Sequence, residues 1–134
     1  MFPCWAYNMM LVTLLYAGIL GLLSVLLANQ VMFVKVNSKL EETWRGHATE
    51  RVQANFVENV PLAVILLLLF ELSTGEIFVT HIFGSCLVLF RVLHAWGMSN
   101  YEGANYPRLI GAQGTFLLLS ILSFSCIYQA FLFL

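Results

Sequence analysis

From Trp5 to Val34 the chain carries no charged side chain. A helix of that length crosses a ~30 Å hydrocarbon core with room to tilt. In such a core the backbone has no water to bond, so the stretch must satisfy its own hydrogen-bond ladder. Three further stretches, about 51–72, 77–97 and 107–133, have the same character. Of the 134 residues, 60% are hydrophobic and 10% charged, and the mean hydropathy is +0.87. A water-soluble fold could not cover that much apolar surface. The reading is an all-α integral membrane protein, a single domain over 1–134 built as a four-transmembrane-helix bundle with spans at about 5–34, 51–72, 77–97 and 107–133.

The connections follow from local chemistry. Ser73-Thr74-Gly75-Glu76 is a tight link, and Gly75 is placed to end a helix in the left-handed conformation. Pro107 suits the first turn of the fourth span, and Pro61 should bend the second. Polar loops are expected over 35–50, with one helical turn at most, and over 99–106. His47 in the first of these reads as solvated. Ala17, Gly21, Ser24 and Ala28 form a small-residue seam of the kind that lets a second backbone approach in lipid. Gly111 and Gly114 do the same for the fourth span. Trp5 and Tyr7 fit an aromatic belt.

Charge placement sets the orientation. All six basic residues, Lys35, Lys39, Arg45, Arg51, Arg91 and Arg108, lie at the end that carries the two longer loops. The short second loop offers only Glu71 and Glu76. By the positive-inside rule the longer loops are cytoplasmic and both termini lie outside. The net charge of −1 argues against a nucleic-acid partner, which would require a basic face. Ala17 to Ala28 lacks the basic flank of a secretory signal. Cys4, Cys86 and Cys126 are isolated and read as small apolar residues; no metal site is expected.

The residues that carry chemistry gather at the basic end. Arg51, Asn55 and Glu58 recur at i, i+4 and i+7, an arc of about 60° on a helix. Gln53 points to the other side, a sign that protein surrounds this end. Arg91, His94 and Met98 share one face of the third span, while His81 near the opposite surface reads as a satisfied imidazole. Arg108 opens the fourth span and Lys35 closes the first. Four cations, an amide and one buried carboxylate should thus converge on a layer about 10 Å deep. Such a layer suits an anion that also carries an ammonium group, and arginine clamps carboxylates through paired hydrogen bonds. Arg108 and free amides after Pro107 would both favour negative charge, including a thiolate. The competing reading is structural, in which Arg51, Glu58 and Arg91 neutralise one another and pin helices together.

These motifs resemble the membrane-associated proteins in eicosanoid and glutathione metabolism, the MAPEG family, which includes microsomal glutathione transferases and leukotriene synthases. The family's second-helix signature matches Arg51, Asn55, Glu58 and Pro61 without a gap. Arg91 with His94, and Pro107 with Arg108, match its third- and fourth-helix patterns. The small bacterial inner-membrane members look most similar. Met98 stands where active mammalian members have a tyrosine, with Tyr101 one turn later, and Lys35 replaces a first-helix arginine.

The resemblance implies a homotrimer in the membrane lipid, with glutathione bound between neighbours near the cytoplasmic face. Arg51, Asn55 and Glu58 would bind the tripeptide, Gln53 would reach from an adjacent subunit, and Arg108 would stabilise the thiolate. The reaction implied is transfer to a small hydrophobic electrophile or reduction of a lipid hydroperoxide. A non-catalytic lipid-binding or scaffold protein of the same fold is the alternative. A small multidrug exporter would carry a carboxylate in its first span, and this span has none.

Overall fold

The computed structural model describes residues 4–37 and 43–134, with side chains from Val12 onward except at Thr43 and Phe133. The expectations for the side chains of Cys4, Trp5 and Tyr7, and for Lys39, fall outside these residues. Four helices follow in order: α1 (Cys4–Asn37), α2 (Thr43–Thr74), α3 (Ile77–Asn100) and α4 (Tyr106–Phe133). Each is long and apolar enough to cross a membrane.

α2 starts about two turns before Arg51. Hydropathy sees only the apolar part of a helix, whereas Arg45, Ala48 and Glu50 are good helix formers in a polar segment. Thr49 lies in this added part and donates its hydroxyl back to the Arg45 and Gly46 carbonyls, each at 3.0 Å. α2 then continues through Pro61. It ends where Gly75 takes φ 70° and its N–H bonds the Glu71 carbonyl at 2.9 Å, so α3 returns alongside it.

α1 packs on α2 and α3, while α4 packs on α3 and α2. Each helix contributes one leucine, Leu20, Leu67, Leu87 and Leu122, that is fully or almost fully buried. Phe70 and Phe83 meet edge to face, with ring centroids 5.4 Å apart. Thr80 and Thr115 are buried and return their hydroxyls to their own helices, at the Glu76 and Gly111 carbonyls. That local bond lets a polar side chain sit in an apolar bundle without an orphaned group. The outer surface carries Leu22, Phe78, Phe124 and many other exposed apolar residues, as lipid contact demands.

Glu71 departs from expectation in one respect. It lies in the last turns of α2, within the expected second span, but although counted with the charges at the short loop it is fully buried. Thr13 of α1 explains why: its backbone N–H, at 3.0 Å, and its hydroxyl both meet Glu71 Oε2. Beside this contact, the Tyr16 hydroxyl bonds the His81 carbonyl at 3.1 Å, lies 3.1 Å from His81 Nδ1 and 2.7 Å from Ser85 Oγ. The end away from the basic residues is thus stitched by neutral hydroxyls around one carboxylate.

The two glycine features play different parts. At Gly111 an added Cβ would lie 2.5 Å from the His94 nitrogen and 2.5 Å from the Phe90 carbonyl oxygen, so α3 and α4 touch backbone to backbone. At Gly21 an added Cβ would meet nothing within 4 Å, so this glycine of the α1 seam makes no close helix contact inside the subunit. Gly111→Ala should therefore force the two helices apart and cost about 1–3 kcal/mol. Gly21→Ala should leave the melting temperature of the monomer fold unchanged; thermal unfolding of the two variants in detergent distinguishes them.

Candidate functional site

Arg91 is 2% exposed, on the face of α3 that also buries His94 and Met98. Its Nη1 donates to Asn55 Oδ1 at 2.8 Å, and Nη2 lies 3.5 Å from the Gly111 carbonyl oxygen. One guanidinium thereby touches α2 and α4 at once. Its Nε is buried without a partner among the described residues. No carboxylate pairs with it there either; the ion pair seen among those residues joins Lys35 to Glu50. Burying a cation without a counter-charge is costly, and the cost falls when an anion arrives.

His94 sits one turn further on. Its Nδ1 lies 3.1 Å from the Arg108 carbonyl oxygen, an acceptor, which fixes the proton on Nδ1. Nε2 is then left as the second functional atom, buried and unpartnered among the described residues. α4 can begin this close because Gly97 has no Cβ: one would lie 2.5 Å from the Arg108 nitrogen. Asn105 caps α4, accepting from the Arg108 N–H at 3.0 Å and donating to the Gly97 carbonyl at 2.9 Å. The expectation of free amides after Pro107 is thus corrected. The Arg108 N–H is taken by the cap, and the Leu109 N–H bonds the Asn105 carbonyl at 3.0 Å. Any attraction for an anion at this point rests on the Arg108 side chain, whose Nη1 donates to the Gly103 carbonyl at 3.1 Å.

Arg108 and Arg51 line one cavity of about 310 Å³, with Trp44, His47, Met98 and Tyr101 among its walls. Glu102 also contributes to the lining, leaving one guanidinium charge in excess. The volume is at the small end of ordinary small-molecule sites, ~300–1,000 Å³. His47, exposed as expected, and Trp44 line this cavity because α2 reaches beyond Arg51; the helix-forming residues before Arg51 were the signal for them.

The eight expected site residues therefore do not form one cluster within a subunit. Arg51 and Arg108 share the cavity, Asn55 and Arg91 bond directly, and His94 touches the Arg108 backbone. Glu58 was expected to be a buried carboxylate, but it is exposed and has no polar partner among the described residues. Of the α2 stripe, the residue that Arg91 reaches is Asn55, and Glu58 lies one turn beyond it. Gln53 points elsewhere, half-buried, with Oε1 inaccessible and unpartnered among the described residues. Lys35 lies 2.6 Å from Glu50 in an exposed pair. The structural alternative, mutual neutralisation of Arg51, Glu58 and Arg91, has no contact to support it among the described residues.

Asn55→Leu removes the firm hydrogen-bond acceptor of Arg91. Stability should drop by about 1.5–3 kcal/mol, the value of a hydrogen bond to a charged group. Asn55→Asp should lose much less, since a carboxylate still accepts; chemical unfolding in detergent provides the comparison.

The family model described as the MAPEG family matches residues 9–128. The inner membrane protein YecN of Escherichia coli strain K12 is 36% identical over 47 residues, 35% of this chain and 36% of YecN. YecN of Escherichia coli O6:H1 matches to the same extent. The chain thus spans 36% of the length of these curated relatives. No solved structure matches.

Proposed function

The chain belongs to the MAPEG family, and from that premise we propose that it is a membrane enzyme using glutathione, either for transfer to lipophilic electrophiles or for reduction of lipid hydroperoxides. One observation carries the reading: Arg51 and Arg108 face a single cavity, while Arg91 behind them is a buried cation without a carboxylate among the described residues. A tripeptide with two carboxylates supplies the missing negative charge, and guanidinium groups grip carboxylates in paired hydrogen bonds. Arg51, Asn55 and Glu58 hold the peptide, with Glu58 receiving its amino group. Arg91 and His94, whose buried Nε and Nε2 lack partners among the described residues, support the peptide from beneath, and Lys35, paired with Glu50, is the more distant cation. Arg108 stabilises the sulfur as thiolate, the form that attacks.

The assembly is a homotrimer, in which Gln53 of one subunit reaches the peptide held by its neighbour. Exposed Glu58 and the buried, unpartnered Gln53 Oε1 support this, because both lack partners within the described subunit. The basic end faces the cytoplasm and the protein resides in a bacterial inner membrane; that YecN is an inner membrane protein and that Lys and Arg cluster at one end support this.

A second reading is favoured by Met98. It is buried in the cavity wall where active mammalian relatives carry a tyrosine, so the fold would bind lipid or act as a scaffold without turnover. Calorimetric titration with glutathione, followed by the ultraviolet band of its thiolate, separates the two readings. Binding with a thiolate band supports the enzyme; binding of neither form leaves the scaffold.

Arg108→Ala should abolish the thiolate band and lower turnover roughly a hundredfold, the scale of one lost charge-stabilising donor. Cross-linking should still report trimers; loss of assembly would make Arg108 a structural residue. A reporter fused after Leu134 should be active only outside the cytoplasm, and cytoplasmic activity would reverse the proposed orientation.

A further inference from the structure

We propose that Met98 is a peroxide-reactive methionine, and that its sulfoxide closes the cationic cavity to anions. The proposal rests on the glutathione reading above only for which anion is shut out. Met98 belongs to the buried face of α3 and is 5% exposed. It lines the cavity of about 310 Å³ that also has Arg51, Arg108 and His47 in its wall. A thioether thus borders a polar space with positive charge in excess. Leucine, of similar volume, would fill the same place in the packing. What methionine adds there is an oxidisable sulfur.

The surrounding contacts hold that sulfur beside the cations. Gly97, the preceding residue, meets the start of α4 so closely that an added Cβ would lie 2.5 Å from the Arg108 nitrogen. The Asn105 cap secures the same turn, accepting from the Arg108 N–H at 3.0 Å. The end of α3 therefore cannot draw away from Arg108. From the other side, the polar beginning of α2 supplies Arg51 and His47. The other methionine with a described side chain, Met32 of α1, has none of this. It is 67% exposed on the apolar outer surface.

The oxidant is a hydroperoxide small enough to enter the cavity, its oxygens bonded by the guanidiniums. A lone pair of Met98 Sδ attacks the terminal oxygen, which bears the hydrogen. An S–O bond forms, the O–O bond breaks, and the departing oxygen leaves with the electron pair. The proton of the transferred hydroxyl passes to that oxygen. Sulfur loses two electrons and the peroxide gains them, giving a sulfoxide and an alcohol, or water where hydrogen peroxide is the oxidant. Negative charge develops on the departing oxygen, where Arg51 and Arg108 stabilise it. A nearly buried sulfur here thus reacts ahead of an exposed one in lipid. The product alters the cavity, because a thioether is a weak acceptor whereas the sulfoxide is polar. Its oxygen accepts from the guanidiniums that would otherwise grip a carboxylate. Sulfoxides are reduced enzymatically, so the change is reversible.

The test treats the purified full chain in nanodiscs with hydrogen peroxide and follows oxygen uptake at each methionine by peptide mass spectrometry. Exposure alone would have Met32 react first; Met98 should instead react roughly threefold faster or more. Arg51→Gln, at an exposed position that leaves the fold intact, should slow Met98 by roughly three- to tenfold and leave Met32 unchanged. After oxidation, calorimetry should show the Kd for glutathione raised roughly tenfold, the scale of one lost hydrogen bond to a charged group. Met98→Leu, compared with its own untreated sample, should keep its affinity through the same treatment. Met98 reacting no faster than Met32, or equally fast in Arg51→Gln, overturns the proposal. An unchanged affinity once Met98 is oxidised, or an equal loss in Met98→Leu, overturns it too. If untreated protein binds inorganic sulfate but no glutathione, the glutathione reading falls and the sulfate titration decides the closure. Binding of neither anion overturns both.

Discussion

The arrangement of the basic end depends on where one buried guanidinium finds its acceptors. Arg91 reaches Asn55 on α2 and approaches the Gly111 carbonyl on α4 while sitting on α3, so three helices are registered against one planar group. Lysine in its place would supply a point charge on a flexible stem and lose the fork that spans two neighbours. The same constraint explains Gly111. A side chain there would push α4 away from α3, and the carbonyl that Arg91 approaches would move with it. Gly97 and the Asn105 cap extend the close contact to the start of α4, which brings Arg108 to the cavity it shares with Arg51. Packing and charge are thus coupled: the glycines that permit tight helix contact are also what concentrates the cations.

The opposite end is held differently. Glu71 is buried on Thr13, and Tyr16 joins His81 and Ser85, so hydroxyl groups replace guanidiniums there. These donors are neutral and the buried charge among them is the Glu71 carboxylate, so nothing there attracts an anion. The chain thereby separates a merely structural polar layer from one with positive charge in excess.

Much of this was legible before any coordinates. Gly75 reads as a helix terminator because few residues tolerate its positive φ. The shared face of Arg91, His94 and Met98 follows from helical spacing, and all three are indeed buried. The family follows from an ungapped run of Arg51, Asn55, Glu58 and Pro61, and the match over 9–128 bears it out. What spacing cannot convey is which neighbour covers a given turn. Asn55 and Glu58 share an arc, yet Arg91 meets the first and leaves the second exposed. The burial of Glu71 was not legible because its partner, Thr13, lies fifty-eight positions away in sequence. His47 is exposed, as expected, but its place in the cavity wall depends on the polar beginning of α2, to which hydropathy is blind. The Asn105 cap was readable in principle, since asparagine before Tyr106-Pro107 is a recognised helix start.

The remaining polar groups on the subunit surface carry the argument one step further. Glu58 is exposed within a helix long and apolar enough to span the membrane, and a carboxylate facing hydrocarbon there is strongly disfavoured. Gln53 adds a buried amide oxygen without a partner among the described residues, on a different side of the same helix. A monomer could relieve either only by turning α2, which would expose Leu67 and Ala63, both fully buried. Turning would break the close packing around both, which is what holds helices together in lipid, so the helix stays as it is. The neighbouring copy proposed above would bring peptide and protein donors to both sides of α2. On this argument oligomerisation and ligand binding are linked, since the groups that make a lone subunit unsuited to lipid are the ones the proposed peptide would engage.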